Sequence, residues 1–386
     1  MKTSSSMTSR ERLLAALQRE EVDHIPCCIS FNPLDPLSRL GHTWNFPWSE
    51  EATTEEKLTY QVETLGLDQV VNVGADLCAP VDGMEWKTWA EDGVLHNTYR
   101  TPTGDLHASV HYNDLWPHGE RIPFYSDFNV GHFVEPWIRT EADLACLQQI
   151  RRLDDSSDAL DRVRAGCATA REQADRYHLP TQASVGMGLT GAQHLFGAAD
   201  LCICAIDQPS LVEAYLEYEH AINLHTLEVL GDLDVDMVRR NGFYETADFY
   251  GPAMLEGFLG SRLRLEADTA RQAGMHMSYT VHTGITPIID YLAGLGMDSL
   301  FGIDPVSQDM DAQDLHRRLS PVTGLWMGPS STHHIWQGPD STRQAVRDIF
   351  ETFTDPGFVL SPAVSVHSIM PWESALAMIE EWKKLR

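Results

Sequence analysis

Long apolar runs are missing. No stretch approaches the roughly 18 consecutive apolar residues that a transmembrane helix needs, which excludes such a helix. Cysteine is sparse: seven in 386 residues, an odd number with no CxxC pair, arguing for reduced thiols and against a disulfide framework. Cys27-Cys28 and Cys202-x-Cys204 lie in apolar runs and read as core thiols. Positive charge is in deficit, with 28 basic against 56 acidic side chains and a net charge of −28. Such a field repels a nucleic-acid backbone or an anionic membrane surface, so neither is a ligand. Met1 to Arg12 is polar and lacks the apolar region of a signal peptide, so the chain is expected to be soluble and cytoplasmic. There is no internal repeat, low-complexity tract, Gly/Ser linker, HExxH or CxxC…CxxC signature, and no Gly-rich nucleotide fingerprint follows a strand.

What remains is an α/β pattern. At about 150 residues per domain, the length allows two or three domains or one large barrel. Capping boxes mark helix starts at Thr8-x-x-Glu11, Thr53-x-x-Glu56 and Ser210-x-x-Glu213. Pro252 suits the first turn of a helix running to about Ala273. Further helices fit Asp311–Leu319, Ser341–Phe353 and Trp372–Leu385. Between helices lie eight short apolar or β-branched runs: Ile25–Phe31, Gln69–Val73, Gln182–Gly186, Asp236–Asn241, His276–His282, Ser299–Ile303, Gly324–Gly328 and Phe358–Val364. Eight strands alternating with helices predict a closed (β/α)8 TIM barrel. An open doubly wound sheet is the runner-up. Trp86–Tyr112, with turn signals at Asp92-Gly93 and Thr103-Gly104, predicts an antiparallel β-hairpin inserted after strand two. One barrel domain over 1–386, with an N-terminal helical extension, is the expected organisation.

In such barrels the C-terminal strand ends carry the chemistry. Here they offer Arg239 through Glu245, the run His276 to His282, His333-His334, and His367. His and carboxylate ligands converging from several strand ends would suit Zn²⁺ with one position open for substrate. His276 and His282 share parity, and His276 lies too deep to be a ligand. Glu245 could equally cap a helix around Thr246–Phe249.

Several segments resemble a known superfamily. Thr8–Leu17 with Val22–Pro26, Tyr99–Gly104, Thr140–Leu144 and Gly357–Pro362 are similar to the uroporphyrinogen decarboxylase-like proteins. The resemblance implies a (β/α)8 barrel and one of two activities. The decarboxylase branch carries an Arg-rich loop that grips porphyrin carboxylates. In this chain the first strand continues as Ser30-Phe31-Asn32-Pro33-Leu34-Asp35-Pro36, with no Arg until Arg39. The other branch comprises zinc-dependent methyltransferases linked to corrinoid proteins. Their His-x-Cys-Gly ligands fall on Thr280 and His282, and their last Cys on Val364, three residues before His367. A His/Glu site of this kind would polarise an ether oxygen rather than a thiol. Trp44, Trp48, Trp116, Phe124, Tyr125, Phe128 and Trp137, all in expected loops, would fit an aromatic substrate or simply cover the barrel mouth.

The resemblance thus implies a methyltransferase, of O-demethylase type, that moves a methyl group from a small donor to the Co(I) of a corrinoid (cobalamin) protein. Glu245, His282 and Tyr244 are its candidate catalytic residues, and Asn241, Tyr279 and His333 its candidate substrate contacts. Glu245 and His282 are candidate Zn²⁺ ligands, completed by His367 or His333. A homodimer is a possible assembly. The alternatives are a decarboxylase of a smaller acid and a non-catalytic ligand-binding barrel.

Overall fold

A computed structural model gives the structure of residues 6–33, 44–304, 306 and 310–386. Contacts group the chain into two compact units. The first comprises the chain up to Gly74, Arg164–Val185 and Leu227–Arg386, and the second Ala75–Val163 and Gly186–Thr226.

The first unit is a (β/α)8 barrel. Its strands are β1 (Phe31–Asn32), β2 (Val71–Val73), β3 (Thr181–Val185), β4 (Met237–Asn241), β5 (His276–Thr280), β6 (Ser299–Ile303), β7 (Gly324–Met327) and β8 (Phe358–Leu360). Strands β2 to β8 form one parallel sheet, ordered as in the chain. The chain just before β1 spans the gap between its two edges. Cys28 donates its N–H to the Leu360 carbonyl at 2.9 Å, and Leu360 donates to Pro26. On the other side Asp68 donates to the Cys27 carbonyl at 2.9 Å, and the Gln69 side-chain amide donates to that of Ile29 at 3.0 Å. The expected continuous strand Ile25–Phe31 is therefore an irregular stave. Pro26 supplies no N–H to a ladder, and β1 itself pairs with Val366–His367 beyond β8.

Alternation decides what each strand offers to the interior. Register aligns Ser184, Arg239, Ser278, Ser299 and Gly324 across five neighbouring strands. This layer is small apart from the one guanidinium. Arg240, one residue on, points the other way and reaches Glu266 on the helix Ser261–Gln272.

The N-terminal extension is the helix Ser9–Leu17. Thr8 and Glu11 form the expected capping box, and Arg19 follows the helix in the left-handed region at φ 56°. Leu13, Ala16 and Leu17 pack into a core with Cys28, Met237, Phe301, Trp326 and Val359. Each large apolar side chain buried there contributes about 1.5–3 kcal/mol.

The second unit holds the inserted hairpin as part of a four-stranded antiparallel sheet: Glu85–Glu91, Val94–Thr101, Gly104–His111 and Phe133–Glu135. Glu91 pairs with Val94 across Asp92-Gly93, both with positive φ (50° and 76°), the two-residue turn that this dipeptide favours. The helix Pro209–Gly231 begins one residue ahead of the expected cap at Ser210, because proline's fixed φ suits a first turn. Among the described residues no single helix is long and apolar enough to cross a membrane.

Candidate active site

A cavity of about 420 Å³ opens inside the barrel. Its wall includes Asn72 of β2, Gln182 of β3, Arg239 of β4 and Phe301 of β6. It extends to Cys28, Ser30 and Phe31 around the irregular stave, and to Lys57 on the helix Thr54–Thr59. A space of this size suits a small molecule.

Arg239 dominates the wall. Its guanidinium carbon lies 3.6 Å from the centre of the Phe301 ring and 5.9 Å from that of Trp326. Stacking of this kind holds the plane of the group and is favourable by about 0.5–2 kcal/mol. Burial pushes its pKa down to about 10, so it stays cationic at neutral pH. Neighbouring Cys28 gives no countercharge, since burial pushes that thiol up to about 12. Near the same cavity Phe31 joins an aromatic group with Phe46, Trp48 and Trp372, ring centres 4.9–6.2 Å apart. Trp44 packs edge-on against Phe46 at 5.3 Å. Of the aromatics expected at a mouth, Trp44 and Trp48 thus belong to this unit; Trp116, Phe124, Tyr125, Phe128 and Trp137 belong to the second.

The residues singled out from sequence fall into three environments. His282 follows β5 with the parity of Ser278 and Thr280. Its Nδ1 lies 2.6 Å from the Gly302 carbonyl, which can only accept, so Nδ1 carries the proton and Nε2 the lone pair. Gly302 has φ 83°, and a Cβ there would sit 2.6 Å from the imidazole Cε1, so glycine shapes this seat. Phe243 covers the ring at 4.9 Å.

Glu245 and Tyr279 lie on the opposite side of the wall, in the layer between sheet and helices. The Tyr279 hydroxyl donates to Glu245 Oε2 at 2.5 Å, and Arg240 Nη2 approaches Oε1 at 3.5 Å. All three side chains are buried. Burial, then the Glu245 charge, raises the Tyr279 pKa well above its ordinary value. Arg240 and Tyr279 face each other in the β4–β5 register, which accounts for their shared outward parity. Asn241 ends β4, and its carbonyl accepts from Arg240 at 2.6 Å. Tyr244 packs edge-on against Phe249 at 5.6 Å.

His333 and His367 stand apart from these. His333 is exposed in the turn Ser331–Ile335, its N–H donating to Ser330 Oγ at 3.2 Å. His367 pairs with Asn32, its pKa lowered by burial, and its buried Nδ1 has no partner among the described residues. Among the described residues no three His, Cys, Asp or Glu side chains gather closely enough to hold a metal ion. The expectation about an Arg clamp after the first strand falls on Leu34 to Arg39, outside the described residues.

Residues 126–385 match the family model for uroporphyrinogen decarboxylase (URO-D). The chain belongs to the URO-D family. Among solved structures, this URO-D family chain is similar to a methyltransferase from Methanosarcina mazei. The two are 18% identical with a TM-score of 0.61 over 98% of this chain and 99% of the other. A B12-independent methionine synthase from Shewanella sp. is 12% identical at a TM-score of 0.47, over 94% and 98%. The first likeness is one of fold. No curated protein matches the chain by sequence.

Sequence places Arg239 at the end of the fourth strand but gives it no role, and it gives none to Gln182 or Asn72. The available signal was a charged residue at the same parity as Met237 on a strand of a parallel sheet, where interior positions are normally apolar.

Proposed function

We propose that this URO-D family protein is a methyltransferase. It takes a methyl group from a small donor, a methoxylated aromatic fitting best, and passes it to the Co(I) of a corrinoid carried by a separate protein. The observation that carries this reading is the barrel cavity. It has small-molecule size, an aromatic flank at Phe31, and only two cations, Arg239 and Lys57, among the described residues of its lining. A tetrapyrrole bearing many carboxylates would be poorly neutralised there. The end-to-end likeness to the Methanosarcina mazei methyltransferase supports the same choice.

Among the described residues, a zinc ion on Glu245, His282 and His367, the set first expected for this chemistry, does not fit. Glu245 is already bound by Tyr279 and faces Arg240, whose charge opposes a cation, and His282 and His367 do not complete a cluster with it. We therefore route no step through a metal. In the proposed reaction the methyl carbon leaves its oxygen, the bonding pair stays on that oxygen, and a proton joins it. His282 is assigned delivery of that proton: Nδ1–H is held by Gly302, so Nε2 first takes a proton from solvent and then gives it to the departing oxygen, which returns the ring to its neutral form. Asn241, Tyr244 and His333, the donor contacts expected from sequence, are not among the residues that line the cavity, so no hold on the donor is assigned to them. Glu245 and Tyr279 are assigned to fixing the outer side of β4 and β5.

The test is methyl transfer to reduced cobalamin, followed by absorbance, with a panel of methoxylated aromatics. Methylcobalamin should form, and His282→Ala should slow it by about 10²–10⁴-fold. Release of carbon dioxide from a small acid, with no methyl transfer from any donor, would replace this reading by decarboxylation, which Arg239 as a carboxylate anchor favours.

A further inference from the structure

Arg239, half-buried in the cavity wall, differs from the buried arginines. Arg12 and Arg240, the two most deeply buried, each hold two carboxylates: Asp23 and Asp68 for the first, Glu245 and Glu266 for the second. Arg239 has no carboxylate within ion-pair distance among the described residues, although acids outnumber bases two to one. Its Nε is buried without a hydrogen-bond partner. A guanidinium left so in a protein interior loses solvation and regains little of it from a ring face.

The surroundings identify what would complete it. Phe301 covers one face, so the N–H edge is the side left for a ligand, and that edge matches a planar carboxylate with two parallel hydrogen bonds. The polar groups beside it are neutral amides. Gln182 Nε2 donates to Asn72 Oδ1 at 3.2 Å, while Gln182 Oε1 is buried with no partner. The layer around Arg239 consists of Ser184, Ser278, Ser299 and Gly324, which leaves room at the level of the guanidinium. Ile29 and Phe31 add an apolar surface to the same lining.

We infer that the cavity is a site for a monocarboxylate whose carboxylate pairs with the Arg239 guanidinium and whose apolar or aromatic body lies toward Phe31. The inference deepens the methyltransferase reading and rests on it only in naming the ligand as the methyl donor. On that footing the donor is a methoxylated aromatic acid, not a neutral aryl ether.

Calorimetric titration of the full chain with 4-methoxybenzoate and with 4-methoxybenzamide, its neutral isostere, tests the site without turnover. The acid should bind more tightly than the amide by about 10- to 100-fold, the range expected of a buried charged hydrogen bond. Arg239→Met should abolish that preference, and Arg239→Lys should keep part of it, since a point charge cannot reproduce the bidentate pair. Equal affinity for acid and amide in the wild type would overturn the inference, and that comparison needs no variant to fold. So would a preference that survives in folded Arg239→Met. If acids bind but no methyl moves, the carboxylate site stands and the methyltransferase reading fails. If methyl moves equally well from neutral ethers, the activity stands and the site assignment fails.

Discussion

The Glu245–Tyr279 pair allows a quantitative test of where these residues act. The hydroxyl donates to Oε2 at 2.5 Å inside a fully buried layer, so this is a charged hydrogen bond out of water. Tyr279→Phe leaves Oε2 short of that donor and should cost about 1–3 kcal/mol. Glu245→Gln removes one of two carboxylates that face buried Arg240. Breaking such a pair costs about 3–5 kcal/mol, and the low end applies because Glu266 remains at 3.2 Å. The double variant should then be less destabilised than the sum of the singles by about 1.5–3 kcal/mol, the worth of a hydrogen bond to a charged group. The assay is urea unfolding of the four proteins followed by tryptophan fluorescence, in buffer and again with EDTA. The structure requires strong coupling and no response to the chelator. Additive effects within about 0.5 kcal/mol would refute the pairing, and midpoints that fall with EDTA in wild type but not in Glu245→Gln would return Glu245 to a metal.

Three further outcomes follow from the same coordinates. Gly302→Ala places a non-glycine residue at φ 83° and a Cβ 2.6 Å from His282. It should lose about 1–2 kcal/mol to backbone strain and about 1–3 kcal/mol to crowding, and slow methyl transfer; unchanged stability and rate would contradict the seat described for His282. At Asp23, burial alone would raise the carboxyl, but hydrogen bonds from Arg12 and the Met7 N–H, with the Arg12 charge, hold it down at about 2 against an ordinary 3.8. Because the folded value is the lower one, its contribution is complete above about pH 4 and is lost as pH falls toward 2. Asp23→Asn should therefore be less stable at neutral pH and show a shallower loss across that window in pH-dependent unfolding. Leu13→Ala, at a wholly buried position of the N-terminal helix, should cost about 2–5 kcal/mol in the same assay if that helix fills the barrel base.

Much of the barrel was legible because strand burial and helix capping leave local signatures. Ser299–Ile303 was read with its bounds intact, and the helix after Thr8 began where its box placed it. The stave before β1 is the exception, since apolarity alone suggests a continuous strand and Pro26 breaks it. The site was less legible for a different reason. Glu245 lies beyond the end of β4, where strand periodicity no longer dictates direction, and only the fold turns it toward Arg240 and Tyr279. Tyr279 is the instructive miss. Its parity is opposite to that of His276 and His282, so an interior reading of those histidines already implied that Tyr279 faces outward.

The same period of two separates Arg239 from Arg240 and gives adjacent, chemically identical residues opposite fates. Arg240 enters the outer layer and is matched by Glu245 and Glu266, so it contributes to the wall and is closed to ligands. Arg239 enters the interior, where its register neighbours are serines and glycine and its nearest cover is an aromatic ring. A mobile surface cation in a chain of net charge −28 would find one of its many carboxylates. A cation held by Phe301 behind a ring of strands cannot, and it keeps its charge for whatever enters the cavity. The anchor therefore sets which end of a substrate is bound before any bond is broken. Methyl loss from an oxygen remote from the carboxylate and loss of the carboxylate itself begin from the same bound acid, and they are told apart by whether the Arg239 contact must persist through the reaction or be released by it.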